Sequence, residues 1–353
     1  MSDAIQPATF PYQTICITGG TGTFGTAFAT YLHVHYPSVH IRILSRDEVK
    51  QAVLRAALGD ANVSYLLGDV RDVERLRLAF RGVDLVVHAA ALKQVPASEY
   101  NPSMFIEVNV LGSENVMRAA LDCGVNHSIL LSSDKACQPI NLYGSTKMLA
   151  ERLFIQANSY SYDGGPRFNV TRYGNIAGSR GSALELFRDK LARGEPLPLT
   201  HPDMTRFWMA PAEAVSLVLF AAMHAGRGEI FVPELPAFDV VDLLRALLGE
   251  RDDYMSAIEV VGVRPGEKLH EALLTAEEIG RMRGVWMDTH MSMPFKVYAV
   301  QPHYHSWSNH VAAARYDLSA MKTHLAGRED YDSRTWPKRL DVRDIMARLK
   351  DLR

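Results

Sequence analysis

Cysteine is scarce in this chain: Cys16, Cys123 and Cys137 are the only three among 353 residues. They lack the paired spacing of a disulfide framework or a thiolate metal site. The thirteen histidines are scattered. The closest pairs, His33/His35 and His303/His305, read as surface or loop residues, so no metal is expected. An excess of one charge is also missing. Lys and Arg number 38 against 40 Asp and Glu, a formal net charge of -2, which leaves no footprint for nucleic acid. The most apolar helical stretch, Ala214 to Ala222, is too short to span a bilayer. Met1 to Pro11 has no basic segment followed by an apolar core, so it is not read as a secretion signal. No internal repeat or low-complexity segment is present. These absences point to a soluble, cytoplasmic protein of one or two domains, with neither membrane nor nucleic acid as partner.

What the chain does contain is a regular alternation of short apolar runs and helical patterns. The run Thr14 to Thr18 reads as a strand. It leads into Gly19-Gly20-Thr21-Gly22-Thr23-Phe24-Gly25, and a helical pattern follows. Glycines at this spacing allow a tight turn and let the backbone approach a pyrophosphate at the helix N-terminus. A second strand, Ile41 to Leu44, ends in Ser45-Arg46-Asp47-Glu48. There Arg46 can pair with a 2′-phosphate and Ser45 can add a hydrogen bond, so NADP is the expected cofactor; Asp47 can serve as a helix N-cap. Lys50 is included in the same cofactor set. Val63 to Leu67 and Asp84 to His88 read as the third and fourth strands. The fourth runs into Ala89-Ala90-Ala91-Leu92-Lys93, small residues that let the chain pass close to a cofactor. Lys93 stands at the carboxyl edge, within reach of a ribose or a substrate phosphate. Asn101 to Cys123 reads as a helix interrupted at Pro102, and Arg167 to Arg172 as a sixth strand.

The fold class expected is α/β, a Rossmann doubly wound parallel sheet with a smaller C-terminal substrate-binding region. Residues 1–174 would form the dinucleotide domain. Residues 175–353 would be mainly the substrate domain, with about 210–235 returning to the sheet. Ile258 to Val261 reads as the last strand. The tail from Met287 reads as polar and irregular until a final helix near Asp341.

The chain is organised around Ser133-Asp134-Lys135, which follows the fifth apolar run, His127 to Leu131. A helical pattern begins near Tyr143, and Tyr143 and Lys147, four residues apart, share one helix face. A tyrosine beside a lysine cation is a workable acid and base near neutral pH. Ser133 can hydrogen-bond the same substrate hydroxyl. Asp134 and Lys135 add a carboxyl and an amine at the carboxyl end of the strand, where open α/β sheets bind ligands.

Taken with Ser45–Glu48, Ala89–Pro96, Asn141–Lys147, Arg172–Asn175, Gly178–Ser182, Met204–Trp208 and Arg264–Glu271, this stretch resembles the inverting UDP-N-acetylglucosamine 4,6-dehydratases. These belong to the extended short-chain dehydrogenase/reductase family and act in pseudaminic acid synthesis. The resemblance implies a catalytic set of Ser133, Asp134, Lys135, Tyr143 and Lys147. It places Asp69 and Val70 at the adenine and gives Asn109 a steadying role. It implies UDP-N-acetylglucosamine as substrate, met by Lys93, Asn175, Arg180, Arg206, Arg264 and Glu267. It also implies a homo-oligomer, dimer or hexamer. Lys135 would take the C5 proton, provided its neighbours depress its pKa, and Asp134 would protonate the departing C6 hydroxyl. The chain departs from the pattern at Cys137 and Gln138, beside this set, and between Arg281 and Ala314. A UDP-N-acetylhexosamine 4-epimerase and a non-catalytic NADP-binding scaffold are the rival readings.

Overall fold

The computed structural model describes residues 10–161, 164–249, 253–287, 296–303 and 330–352. Residues 1–9 of the N-terminal stretch, His305 and much of the tail lie outside them. Six strands carry the first half of the fold: β1 (Thr14–Thr18), β2 (His40–Ser45), β3 (Val63–Leu67), β4 (Leu85–His88), β5 (His127–Ser133) and β6 (Arg167–Tyr173). They lie parallel in the order β3-β2-β1-β4-β5-β6. Ile230–Pro233 pairs parallel beyond β6. β4 is buried along its whole length and β5 along all but its last residue, because helices cover both faces; this explains their near-continuous apolar sequence. The strand order reverses between β1 and β4. Their carboxyl ends therefore diverge into a crevice, and the glycine turn after β1 opens at that place.

The expected doubly wound sheet is present, but it is mixed rather than purely parallel. Lys296–Val300 pairs antiparallel with Ile230–Pro233, and Met282–Met287 pairs antiparallel with Lys296–Val300, giving nine strands. The reading of Ile258 to Val261 as the last strand missed both, and Lys296–Val300 falls in the tail read as irregular. Lys296–Val300 is only five residues long, and its apolar residues become core only once the strand is laid against Ile230–Pro233. Ile258–Val260 is not the last strand; it pairs with Leu197–Leu199 in a separate two-stranded sheet. Pro102 does not interrupt a helix but opens one, Pro102–Phe105, as proline does at a first helical position. A π-helical segment, Ile106–Leu111, then leads into the helix Gly112–Asp122.

That π segment contains Asn109, which is buried. Its amide accepts from Leu92 N at 2.8 Å and donates to Leu92 O at 2.9 Å and Thr146 Oγ1 at 3.0 Å. Asn109 thereby ties the loop after β4 to the helix Leu142–Ala157, which bears Tyr143 and Lys147. Behind that helix, Arg172 of β6 is buried between Glu151 (2.6 Å) and Glu278 (2.8 Å). A second apolar cluster, including Phe187, Leu197, Trp208, Leu243 and Ile345, underlies the C-terminal part of the chain.

Candidate active site

A cavity of about 660 Å³ runs from the glycine turn, past the end of β5, to the Arg264–Glu271 segment. Its floor depends on glycine. Gly19 has φ +67°, and a Cβ there would lie 2.8 Å from the backbone of Ala90. A Cβ on Gly25 would lie 2.5 Å from Gly20 Cα. Gly22 caps the helix Thr23–His35 without a side-chain acceptor, so the first N–H groups of the helix are left for an anion. This bare cradle fits a dinucleotide pyrophosphate. Gly19, Thr21, Gly22, Thr23, Phe24, Gly25, Lys50, Ala89, Ala91 and Lys93 line the cavity, whereas Ser45, Arg46, Asp69, Val70 and Ala90 do not.

The geometry after β2 differs from the sequence expectation. Ser45 is buried and its Oγ accepts from Gln51 Nε2 at 3.0 Å. Arg46 points its guanidinium at the Asp69 carboxylate, 3.4 Å away, and Arg71 holds the same carboxylate at 2.8 Å. Burial pushes Asp69 up, but Arg71 and Arg46 outweigh it and keep the carboxyl below its ordinary value. Lys50 pairs with Asp47 at 2.5 Å, and Asp47 caps the helix Glu48–Leu58.

β5 delivers Ser133 to the middle of the cavity. Asp134–Ala136 forms one 3₁₀ turn, and the helix Leu142–Ala157 begins with Asn141 accepting from Gly144 N at 2.7 Å. Ser133 Oγ donates to Asp134 Oδ1 at 2.9 Å and accepts from Lys135 N at 3.1 Å. The Lys135 amine lies 3.1 Å from Asp134 Oδ1, 3.1 Å from Glu271 Oε1 and 3.3 Å from Asn175 Oδ1. Lys147 Nζ donates to Leu131 O at 2.6 Å.

Electrostatics corrects two sequence expectations. Burial alone would pull Lys135 down, but the carboxylates of Asp134 and Glu271 reverse the balance and hold it above the ordinary lysine value. Its neighbours therefore do not depress it. Burial raises the Tyr143 phenol; the cation drawing it back is Lys135, aided by a hydrogen bond from Ser133. Lys147, expected to lower the phenol, is itself pulled down to about 8 by burial, with Glu151 working against the fall.

On the far side, Arg206 is buried and donates to the carbonyls of Thr205 (2.8 Å) and Leu269 (3.2 Å). It lies 3.7 Å from Glu267 and 3.9 Å from Glu271. Arg180, Arg264 and Asn175 share this wall. Lys93 approaches Ser179 Oγ at 3.5 Å, and burial lowers its pKa. Cys137 and Gln138 do not line the cavity. The Cys137 carbonyl accepts from Lys268 Nζ at 2.5 Å, and Gln138, at φ 47°, reaches Asp330. Sequence reasoning missed Glu271 and Lys268. Both stand in the quoted Arg264–Glu271 block, but nothing local to it shows that they reach the end of β5.

A glycine turn at the strand-order switch, with Ser133 at the end of β5 and Tyr143 and Lys147 on the helix Leu142–Ala157 beside it, defines an extended short-chain dehydrogenase/reductase. The chain belongs to the family described as polysaccharide biosynthesis protein, whose model matches residues 15–289. It is 42% identical over 297 residues to the UDP-N-acetylglucosamine 4,6-dehydratase (inverting) of Campylobacter jejuni, covering 83% of this chain and 84% of that one. It is also 42% identical over 275 residues, 77% and 80% of the two chains, to a UDP-glucose 4-epimerase of Rickettsia prowazekii. The X-ray structure of Pen from Bacillus thuringiensis superposes with TM-score 0.82 at 28% identity, covering 98% and 99% of the chains. DesIV, a dTDP-glucose 4,6-dehydratase from Streptomyces venezuelae, superposes with TM-score 0.64 at 25% identity, covering 72% and 86%.

The DesIV structure holds NAD, and this overturns the expectation of an NADP-dependent enzyme. At the tip of β2, Ser45 is buried under Gln51 and Arg46 is turned to Asp69, so neither of the two residues expected to read a 2′-phosphate lines the cavity. Among the described residues no helix is long and apolar enough to cross a membrane, and no cluster of potential ligands could hold a metal.

Proposed function

We propose that this chain dehydrates UDP-N-acetylglucosamine across C5 and C6, inverting C5, with NAD as its cofactor. The observation that carries the proposal is the Lys135–Asp134 contact of 3.1 Å beside Ser133 and Tyr143, all on one cavity. Oxidation and epimerisation at C4 require only a Ser-Tyr-Lys set; loss of water requires a further base and acid.

NAD, held by the glycine turn and the residues lining it, would supply the hydride acceptor for C4 and the hydride donor for C6. Tyr143 accepts the C4 hydroxyl proton once it is ionised to the phenolate, the form that Lys135 and Ser133 favour against burial, and Ser133 hydrogen-bonds that oxygen. The resulting 4-ketone acidifies the C5–H bond. Because Lys135 rests as a cation, its work as a base requires one proton to pass first to Asp134 over their 3.1 Å contact, which gives the neutral amine and the carboxylic acid together. Lys135 then removes the C5 proton, and Asp134 protonates the departing C6 hydroxyl. Return of a proton to the opposite face inverts C5 and gives a 4-keto-6-deoxy sugar of L-arabino configuration. Asn175, Arg180, Arg206, Arg264, Glu267 and Lys93 orient the nucleotide, so that remote binding positions the sugar. On this reading residues 1–174 hold the dinucleotide, and 175–353, apart from the strands and helix returning to the sheet, hold the sugar nucleotide.

The equal identity to an enzyme called UDP-glucose 4-epimerase favours a second reading, epimerisation. Incubation with UDP-N-acetylglucosamine and no added reductant separates the two. The dehydratase yields a product lighter by one water, with a C6 methyl signal by NMR. A product that keeps its C6 oxygen removes the dehydratase reading.

A further inference from the structure

We propose that Glu271 is a positioning residue of the dehydration step: it clamps the Lys135 amine from the nucleotide side of the cavity, sets its charge state and links it to Arg206. This deepens, and rests on, the reading of Lys135 as the C5 base.

Glu271 is nearly solvent-free, at 1% exposure, and borders the cavity. The backbone on both sides of it is pinned. Glu271 N lies 2.9 Å from Ser333 Oγ, and Ser333 N donates to Glu271 O at 2.8 Å. Ser333 Oγ is in turn 2.6 Å from Thr205 Oγ1, next to Arg206. Three separate stretches of chain thus aim one carboxylate at Lys135. Its Oε1 contacts Lys135 Nζ at 3.1 Å and Arg206 Nε at 3.9 Å. Its Oε2 has no hydrogen-bond partner, and Lys268 Nζ stands 4.0 Å from it. A buried carboxylate with an unpaired oxygen is costly to keep for packing alone.

The charged and polar groups facing Lys135 are Asp134, Glu271, Asn175, Arg206, Tyr143 and Lys93. The two carboxylates dominate. Asp134 stays protonated until it serves the departing hydroxyl, so Glu271 is the carboxylate already ionised beside the amine as it acquires the C5 proton. The developing ammonium is stabilised where it forms. Arg206 supplies the link: a diphosphate drawing on that guanidinium weakens its hold on Glu271 and strengthens the Glu271–Lys135 contact.

The test uses the cofactor-loaded protein and the variants Glu271→Gln and Glu271→Asp. First, Lys135 is acetylated competitively with acetic anhydride at fixed pH, and its labelling rate is read by peptide mass. Loss of one adjacent charge lowers a pKa by about one unit or more, so in Glu271→Gln Lys135 should label about tenfold faster. In Glu271→Asp, which keeps the charge, labelling should stay near the wild-type rate. This arm is independent of the reaction catalysed, so it tests Glu271 even if the dehydratase reading falls. Second, with UDP-N-acetylglucosamine, Glu271→Gln should lose turnover about 10²-fold with KM little changed, and its rising pH limb should move to lower pH. The burst of reduced cofactor in a single turnover should persist. An unchanged labelling rate in Glu271→Gln, or equal acceleration in Glu271→Asp, overturns the proposal; so does lost turnover without a moved pH limb. Wild-type product that keeps its C6 oxygen instead overturns the dehydratase reading.

Discussion

Lys147 and Leu131 are joined by a 2.6 Å hydrogen bond from the ammonium to the carbonyl oxygen, which fixes the helix Leu142–Ala157 against β5. Burial pulls this lysine down from its ordinary 10.5 to about 8. Below pH 8 the folded and unfolded chains both keep this proton. Between 8 and 10.5 the folded chain releases it first, the unfolded chain binds more protons, and stability rises with pH. Lys147→Met removes this dependence. Denaturant unfolding at pH 7 and pH 10 should show wild type gaining on the variant by on the order of 3 kcal/mol. Turnover of Lys147→Met should fall about 10²-fold or more.

NAD should bind more tightly than NADP, by about tenfold or more, since neither Ser45 nor Arg46 is turned to the cavity to pair with a 2′-phosphate. Titration calorimetry with the two dinucleotides checks this. Arg46→Ala should change NAD affinity by less than about fivefold, because the Arg46 pair is exposed and Arg71 retains Asp69. NADP binding as tightly as NAD would contradict the assignment.

Arg172→Met should destabilise the protein by about 3–5 kcal/mol, because it leaves Glu151 and Glu278 buried without their cation. Adding Glu151→Leu and Glu278→Leu should restore much of the loss. Chemical denaturation of the single and triple variants measures both steps. A single variant as stable as wild type would show that the two carboxylates find other partners.

Gly144→Ala should impair turnover while preserving the fold. A Cβ on Gly144 would overlap the Lys135 carbonyl oxygen and lie 3.1 Å from Pro139 Cβ. The Asp134–Ala136 turn would have to move, and a displacement of about 1 Å can cost about 10²-fold in rate. Circular dichroism should be unchanged. Full activity would show that the turn has slack.

Much of the dinucleotide half was legible in the sequence. The apolar runs of β1 to β6, the glycine turn and the four-residue spacing of Tyr143 and Lys147 are all local signals, and each element formed where its pattern stood. The substrate wall was legible only as a set of motif blocks. Arg206 and Glu267 do come together at 3.7 Å, but no periodicity relates two loop segments so far apart. The strand Lys296–Val300 was illegible because a short antiparallel edge strand acquires its meaning from the strand it joins. Pro102 was misread because a proline that opens a helix and one that breaks it look alike until the preceding backbone is known.

By itself the sequence determined the alternation of strand and helix, the place of the cofactor turn, and the presence of an amine and a carboxyl at the end of β5. Backbone preference and side-chain spacing act over a few residues, so a one-dimensional pattern suffices for these. The tertiary structure alone decided the charge states: Lys135 held as a cation between Asp134 and Glu271, Lys147 weakened by burial, and Arg46 turned to Asp69. A titrating group responds to burial and to charges within a few ångströms, and folding supplies both from segments that are remote in the chain.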